Sequence, residues 1–181
     1  MGIFLACAPL QASDWEGLKR EIREKFPHVD QVGTAALAVW LADEEREPPV
    51  LLDARAEKEY AVSHLPGAVW APDLKAALRV LGPPPGEAGA SGAATTDDVS
   101  GGDPSRPVIV YCSVGYRSAQ MADRLRERGY ESVFNLEGSL FEWANEGNAV
   151  VRGDSVVTAV HPYDRDWGRF LEERYWPEDW K

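Results

Sequence analysis

The sequence predicts an α/β protein built on a parallel sheet with helices on both faces, and three observations carry that expectation. Short apolar runs, V-L-L-D at 50–53 and V-I-V-Y at 108–111, read as strands buried on both sides. Segments with apolar residues at helical spacing alternate with them, which is the order of a doubly covered sheet. V-I-V-Y also delivers Cys112 to a tight turn through Gly115, with a helix expected from about Arg117 or Ser118. Open α/β sheets place ligands at such C-terminal strand ends.

Taken in order, the chain opens on a small-residue, apolar start without a basic region. Its apolar run is too short for a signal peptide, and Ala6 breaks the myristoylation pattern, so a frayed terminus is expected. Ser13 with Glu16 three residues on reads as a capping box for a helix carrying Trp15, Leu18, Ile22 and Phe26, ended by Pro27. Residues 28–32 suggest a short strand. Thr34 is expected to cap a second helix with Leu37, Trp40 and Leu41, closed by Pro48-Pro49. After the 50–53 strand and a short helix, 73–81 reads as a helix with Leu74, Ala77, Leu78 and Leu81 inward. The Gly-, Pro- and Ser-rich stretch at about 82–106 has too little apolar bulk to offset the entropy of ordering it, and is expected to be a disordered insertion. Met121, Ala122 and Leu125 then form the inner stripe of the helix after Cys112, and 131–137 the next strand. That strand–helix–strand crossover should be right-handed. In the tail, Trp167, Phe170, Leu171 and Trp176 suggest an extended piece and an amphipathic helix that covers the sheet or serves an oligomer contact.

Composition narrows the function. The 181 residues are 44% hydrophobic and 27% charged, enough for one well-cored domain with extensions. Nineteen basic against thirty acidic residues give a net charge of −11, which repels nucleic-acid backbones and anionic membranes. No stretch is long and apolar enough to span a bilayer, so a soluble protein is expected. Any anion site must therefore be local. Two cysteines, Cys7 and Cys112, make no disulfide framework and point to a reducing, cytoplasmic setting. The three histidines, His28, His64 and His161, show no metal-ligand spacing with either cysteine, so no metal and no cofactor is inferred.

The chemistry concentrates at 112–118. At a strand-to-helix turn the first backbone N–H groups lack intrahelical partners and sit at the positive end of the helix dipole, a cradle that stabilises a thiolate. Arg117 adds a fixed charge. Burial alone would account for a cysteine, but not for Gly115, Arg117 and Ser118 at these offsets after a strand.

The run C-S-V-G-Y-R-S, from Cys112 to Ser118, resembles the active-site loop of the rhodanese family. So does L-L-D-A-R-A-E-K-E-Y-A-V-S-H-L-P-G-A, with Asp53, Arg55, Glu59-Tyr60, His64, Pro66, Gly67 and Ala68 in the family's order, and so does the closing Gly138 to Trp143, where Ser139 stands in place of a second glycine. That last departure is expected to affect a turn only. Four residues separate Cys112 from Arg117, whereas the similar-looking cysteine-dependent phosphatases have five, and the shorter loop suits sulfur. The resemblance implies a rhodanese-like domain over 32–147 with about five parallel strands, an N-terminal extension at 1–31 and an aromatic C-terminal extension at 148–181.

It further implies a sulfurtransferase. Cys112 as nucleophile would take sulfane sulfur from thiosulfate or a persulfide and hand it to a thiol, to cyanide or to a protein sulfur carrier, through a Cys112 persulfide held by loop amides. Ser113, Val114, Gly115, Tyr116 and Arg117 form the loop, with Ser113 and Tyr116 at the mouth. Ser118 is expected to cap the helix. Arg117 either binds the donor's anionic group or turns inward to hold the loop through backbone carbonyls. Asp53 and Arg55 read as a pair pinning neighbouring loops, and His64 as a residue holding its own turn. The alternative is a non-catalytic binding module on the same scaffold, disfavoured by the presence of Cys112. A reductase would need Cys7 as a resolving thiol, and nothing places it nearby.

Overall fold

The computed structural model describes residues 10–83 and 106–181, with the backbone alone for 10–14. Cys7, the first nine residues and nearly all of the expected insertion at 82–106 lie outside the described residues.

Five parallel strands form the sheet: β1 (Asp30–Gly33), β2 (Val50–Asp53), β3 (Val69–Trp70), β4 (Val108–Tyr111) and β5 (Val133–Glu137), in the order β1-β5-β4-β2-β3. All four residues of β4 are buried, because helices cover both faces at the centre of the sheet. Alternation along the strand divides the core. Ile109 and Tyr111 face one layer, where Leu37 and Trp40 of α2 (Thr34–Ala42) meet Leu140, Phe141 and Trp143 of α6 (Ser139–Asn145). Val108 and Val110 face the other, filled by Ile22 and Phe26 of α1 (Leu10–Lys25), Ala77 and Leu81 of α4 (Leu74–Leu81), and Met121, Ala122 and Leu125 of α5 (Tyr116–Glu127).

The connection from β4 through α5 runs to β5 on one side, while β2 passes through α3 (Glu57–Val62) to β3 on the other. The C-terminal ends of β2 and β4, paired from Val50↔Val108 to Asp53↔Tyr111, thus bound the crevice where such a sheet admits a ligand.

Several expected boundaries move. Helix α1 begins at Leu10, so Ser13 lies inside it rather than at its cap; Gln11 and Ala12 are compatible with a helix and nothing breaks the run there. Gly33, not Thr34, is the N-cap residue of α2, and Thr34 is the first helical position, buried. That helix stops at Ala42, well before Pro48, because Asp43 is extended. Asp73 caps α4, its carboxylate accepting from the Ala76 amide at 2.8 Å.

The tail differs most. In place of an amphipathic helix over 167–176 there is a hairpin, β6 (Val150–Arg152) with β7 (Ser155–Val157), a four-residue α7 (Arg165–Gly168) and two 3-10 turns. The chain folds back at Gly168, which allows the Trp176 ring to approach within a distance that a Cβ would block. Phe170 and Leu171 are nonetheless buried in the α2–α6 layer. The Asn145 side chain fastens the segment, donating to the Phe170 carbonyl and accepting from the Glu172 amide. No helix among the described residues is long and apolar enough to cross a membrane.

Candidate active site

Gly115 creates the site's shape. It is the residue preceding α5, with φ +107°, a left-handed conformation in which a side chain is strained, and it turns the chain sharply from β4 into the helix. The turn brings the Gly115 amide N–H to 3.2 Å from Cys112 Sγ and the Ser118 hydroxyl to 3.4 Å from it. Cys112 is 1% exposed, at the floor of a cleft. Burial pushes its pKa up, but the Arg117 charge, the Ser118 hydroxyl and the Ser118 and Gly115 amides outweigh that, and the thiol lies below its ordinary value.

Ser118 is therefore not the helix cap. It is the third residue of α5, wholly buried, and its hydroxyl is spent on the sulfur. Arg117 turns onto the loop and also lines the cleft. Its guanidinium makes a bidentate pair with Glu59, at 2.9 and 2.8 Å, and also donates to the Ser113 hydroxyl at 3.0 Å. It holds the loop through a carboxylate and a hydroxyl, not through backbone carbonyls. Tyr163 lies against the same guanidinium, ring centroid 4.9 Å away.

Glu59 is the residue whose place at the site the sequence did not show, although its acidic-aromatic pair with Tyr60 stands out. It is fully buried, receives Ser113 Oγ at 2.9 Å as well as Arg117, and closes α3 by accepting from the Ala56 amide. Burial would raise its pKa, and Arg117 more than offsets this, so the carboxylate is held below its usual range. Its position in α3, just after β2, matches the adjacency of β2 and β4.

Asp53 and Arg55 form a wholly buried ion pair under the loop, with contacts of 2.6–3.1 Å, and Arg55 Nη2 also donates to the Ser63 carbonyl. His64 stacks on Tyr60, with its Nδ1 at 3.0 Å from the Tyr60 carbonyl, and bridges to Val151 through its backbone. Neither group lines the cleft. Ser139 reaches further than a turn: its hydroxyl accepts from the Cys112 amide at 2.9 Å and donates to the Leu136 carbonyl, while the Leu140 and Phe141 amides take up the Cys112 and Ser113 carbonyls.

The cleft above Cys112 has a volume of about 340 Å³. Ser113, Val114, Tyr116 and Arg117 supply one side of it; Leu18 and Glu21 from α1, and Tyr163 and Trp167 from the tail, supply the rest. That second side comes from the two extensions, which the sequence offered as cover for the sheet or as an oligomer contact. Among the described residues no group of three or more His, Cys, Asp or Glu side chains could hold a metal ion. What the arrangement can do chemically is present a stabilised thiolate at the base of a pocket and hold negative charge there with backbone and hydroxyl donors.

This strand–loop–helix thiol site on a five-stranded parallel sheet is that of the rhodanese-like domain, whose family model matches residues 37–146; the chain belongs to that family. It is similar to a sulfurtransferase of Allochromatium vinosum, 28% identical over 123 residues that cover 68% of this chain and 95% of that one. It is also similar to the tRNA uridine(34) hydroxylase of Cupriavidus necator, 30% identical over 149 residues covering 78% of this chain but 48% of the relative, so the chain spans about half that protein's length. In fold it resembles a thiosulfate sulfurtransferase of Pseudomonas aeruginosa, TM-score 0.54 at 21% identity, with 87% of this chain and 26% of that one covered.

Proposed function

We propose that the protein is a sulfurtransferase that carries sulfane sulfur on Cys112. The observation that carries this reading is the sulfur at the floor of the cleft, with the Gly115 amide at 3.2 Å, the Ser118 hydroxyl at 3.4 Å and its pKa below the ordinary thiol value. The thiolate attacks the outer sulfur of thiosulfate or a persulfide. The donor's S–S bond breaks as the Cys112–S bond forms, and sulfite or a thiolate leaves. A thiol or cyanide then attacks that outer sulfur and the Cys112 thiolate is regenerated. Loop amides and the Ser118 hydroxyl offset the negative charge in both half-reactions. Arg117, paired with Glu59 and Ser113, sets the loop's geometry and the local potential at Cys112. The family and the sulfurtransferase relative point the same way.

The test is the intact mass of the protein after incubation with thiosulfate or a small persulfide, with Cys112→Ser in parallel. One sulfur atom should be gained by the parent and not by the variant, and be removed by cyanide or a thiol. No gain from any donor would refute the reading.

A further inference from the structure

Leu18, Glu21, Tyr163 and Trp167 of the cleft wall lie outside the 37–146 segment that defines the family, and they carry their own chemistry. Trp167 and Tyr163 on one side and Leu18 with Val114 on the other are apolar or aromatic surface. Among the described lining residues the cation is Arg117, whose charge is shared between Glu59 and the Cys112 thiolate. Glu21, exposed on α1, adds a negative charge at the rim. Tyr163 is also held in a costly backbone conformation. Its φ is +68°, uncommon for any residue but glycine, and the preceding turn is fixed by its own amide donating to His161 Nδ1 at 2.9 Å. This conformation puts the Tyr163 ring on the cleft wall, against the Arg117 guanidinium.

We infer that the cleft selects an organic hydropersulfide, R–S–SH, whose R group is apolar and not anionic, in preference to the thiosulfate dianion; this rests on the sulfurtransferase reading above. The R group lies between Trp167, Tyr163 and Leu18, which leaves the sulfane sulfur toward Cys112. The Cys112 thiolate attacks that sulfur, the donor's S–S bond breaks, R–S⁻ departs, and the Cys112 persulfide, Sγ–SH, forms with the proton still on the outer sulfur. Atoms and charge balance without an oxidant or reductant. Thiosulfate would bring two negative charges past Glu21 to a thiolate, with nothing for the apolar walls to bury.

The experiment compares methyl with benzyl hydropersulfide, which share their reacting atoms, and includes thiosulfate, each scored by the rate at which sulfur appears on Cys112 by intact mass. In the parent protein benzyl should be favoured over methyl by about tenfold or more, as expected where a hydrophobic pocket discriminates by size. In Trp167→Ala and, as a milder change, Trp167→Leu, that preference should shrink toward one. Glu21→Lys, on the exposed face of a helix, should raise the thiosulfate rate several-fold relative to the benzyl compound. A benzyl-to-methyl ratio near one in the parent, or one unmoved by both Trp167 variants, overturns the inference while sulfur on Cys112 keeps the sulfurtransferase reading intact. No sulfur on Cys112 from any of the three donors overturns both.

Discussion

The Cys112 thiol is held below its ordinary pKa by local means in a protein of net charge −11, and each contribution can be removed separately. The rate of alkylation by iodoacetamide follows the thiolate fraction, so its pH midpoint should fall below the ~8.5 of a free cysteine. Ser118→Ala deletes a hydroxyl donor 3.4 Å from the sulfur and should move the midpoint up; an unmoved midpoint would deny the hydroxyl that role. Arg117→Ala removes the nearest charge as well as the clamp on the loop, and should lower sulfur transfer by about tenfold or more, the scale of losing one well-placed donor. Glu59 carries a different burden. Its loss removes the bidentate partner of the Arg117 guanidinium and the acceptor of Ser113 Oγ, and Glu59→Ala should cost about 3 kcal/mol. That is the low end for breaking a buried pair, because Arg117 is 34% exposed and keeps some hydration. Since the folded carboxylate titrates below its unfolded value, its stabilisation is present above pH ~4.3 and is lost as the pH falls through the folded pKa. Urea denaturation at several pH values reads both effects.

Among the elements, α6 governs the loop from below. Its first residue, Ser139, has φ +54° yet is not glycine, a strain of about 1 kcal/mol, which the hydroxyl offsets by taking up the Cys112 amide. Ser139→Gly and Ser139→Ala both leave the buried Cys112 N–H unpaired, at about 1–3 kcal/mol, but Gly relieves the strain whereas Ala keeps it. The stability order by thermal melting should be Ser, then Gly, then Ala; Ala equal to Gly would mean that the backbone here is not strained. A sequence shows that a serine stands where a glycine is usual, but not that a hydroxyl from α6 meets an amide 27 residues earlier. The same limit explains what was legible elsewhere. V-I-V-Y and V-L-L-D read as buried strands because the two faces of the sheet impose one pattern on the chain. The turn at Cys112 was readable because Gly115 and Arg117 are local to it. Glu59 was not, since its role depends on β2 lying beside β4, and Ser118 was misassigned because a serine near a helix start has two possible uses, capping or reaching back. The tail defeated periodicity: its aromatic spacing looks helical, but the chain folds back at Gly168, where Trp176 packs against it, and forms short turns.

Across the whole molecule, the extensions complete both the core and the cleft. Phe170 is buried against Trp15 of α1, ring centroids 4.9 Å apart, and Trp167 stacks beside it at 6.1 Å on the way to the cleft. Asn145 ties the same segment to the end of α6, whose first residue supports Cys112. The thiol loop, α6, the tail and α1 are therefore coupled through packing rather than strung along the chain. Phe170→Ala removes a ring from the α2–α6 layer and should destabilise the protein by about 3–4 kcal/mol, since a buried Phe-to-Ala change leaves a cavity that the surroundings fill only partly. For a chain of this length that corresponds to a fall in melting temperature of about 10 °C. If the tail were an appendage that docks only on a partner, the isolated protein would melt unchanged. Because the ring also backs Trp167, hydrogen exchange in the variant should quicken at 163–171 before it does so in β4, and the tail should loosen as a unit while the sheet still holds Cys112 at its edge.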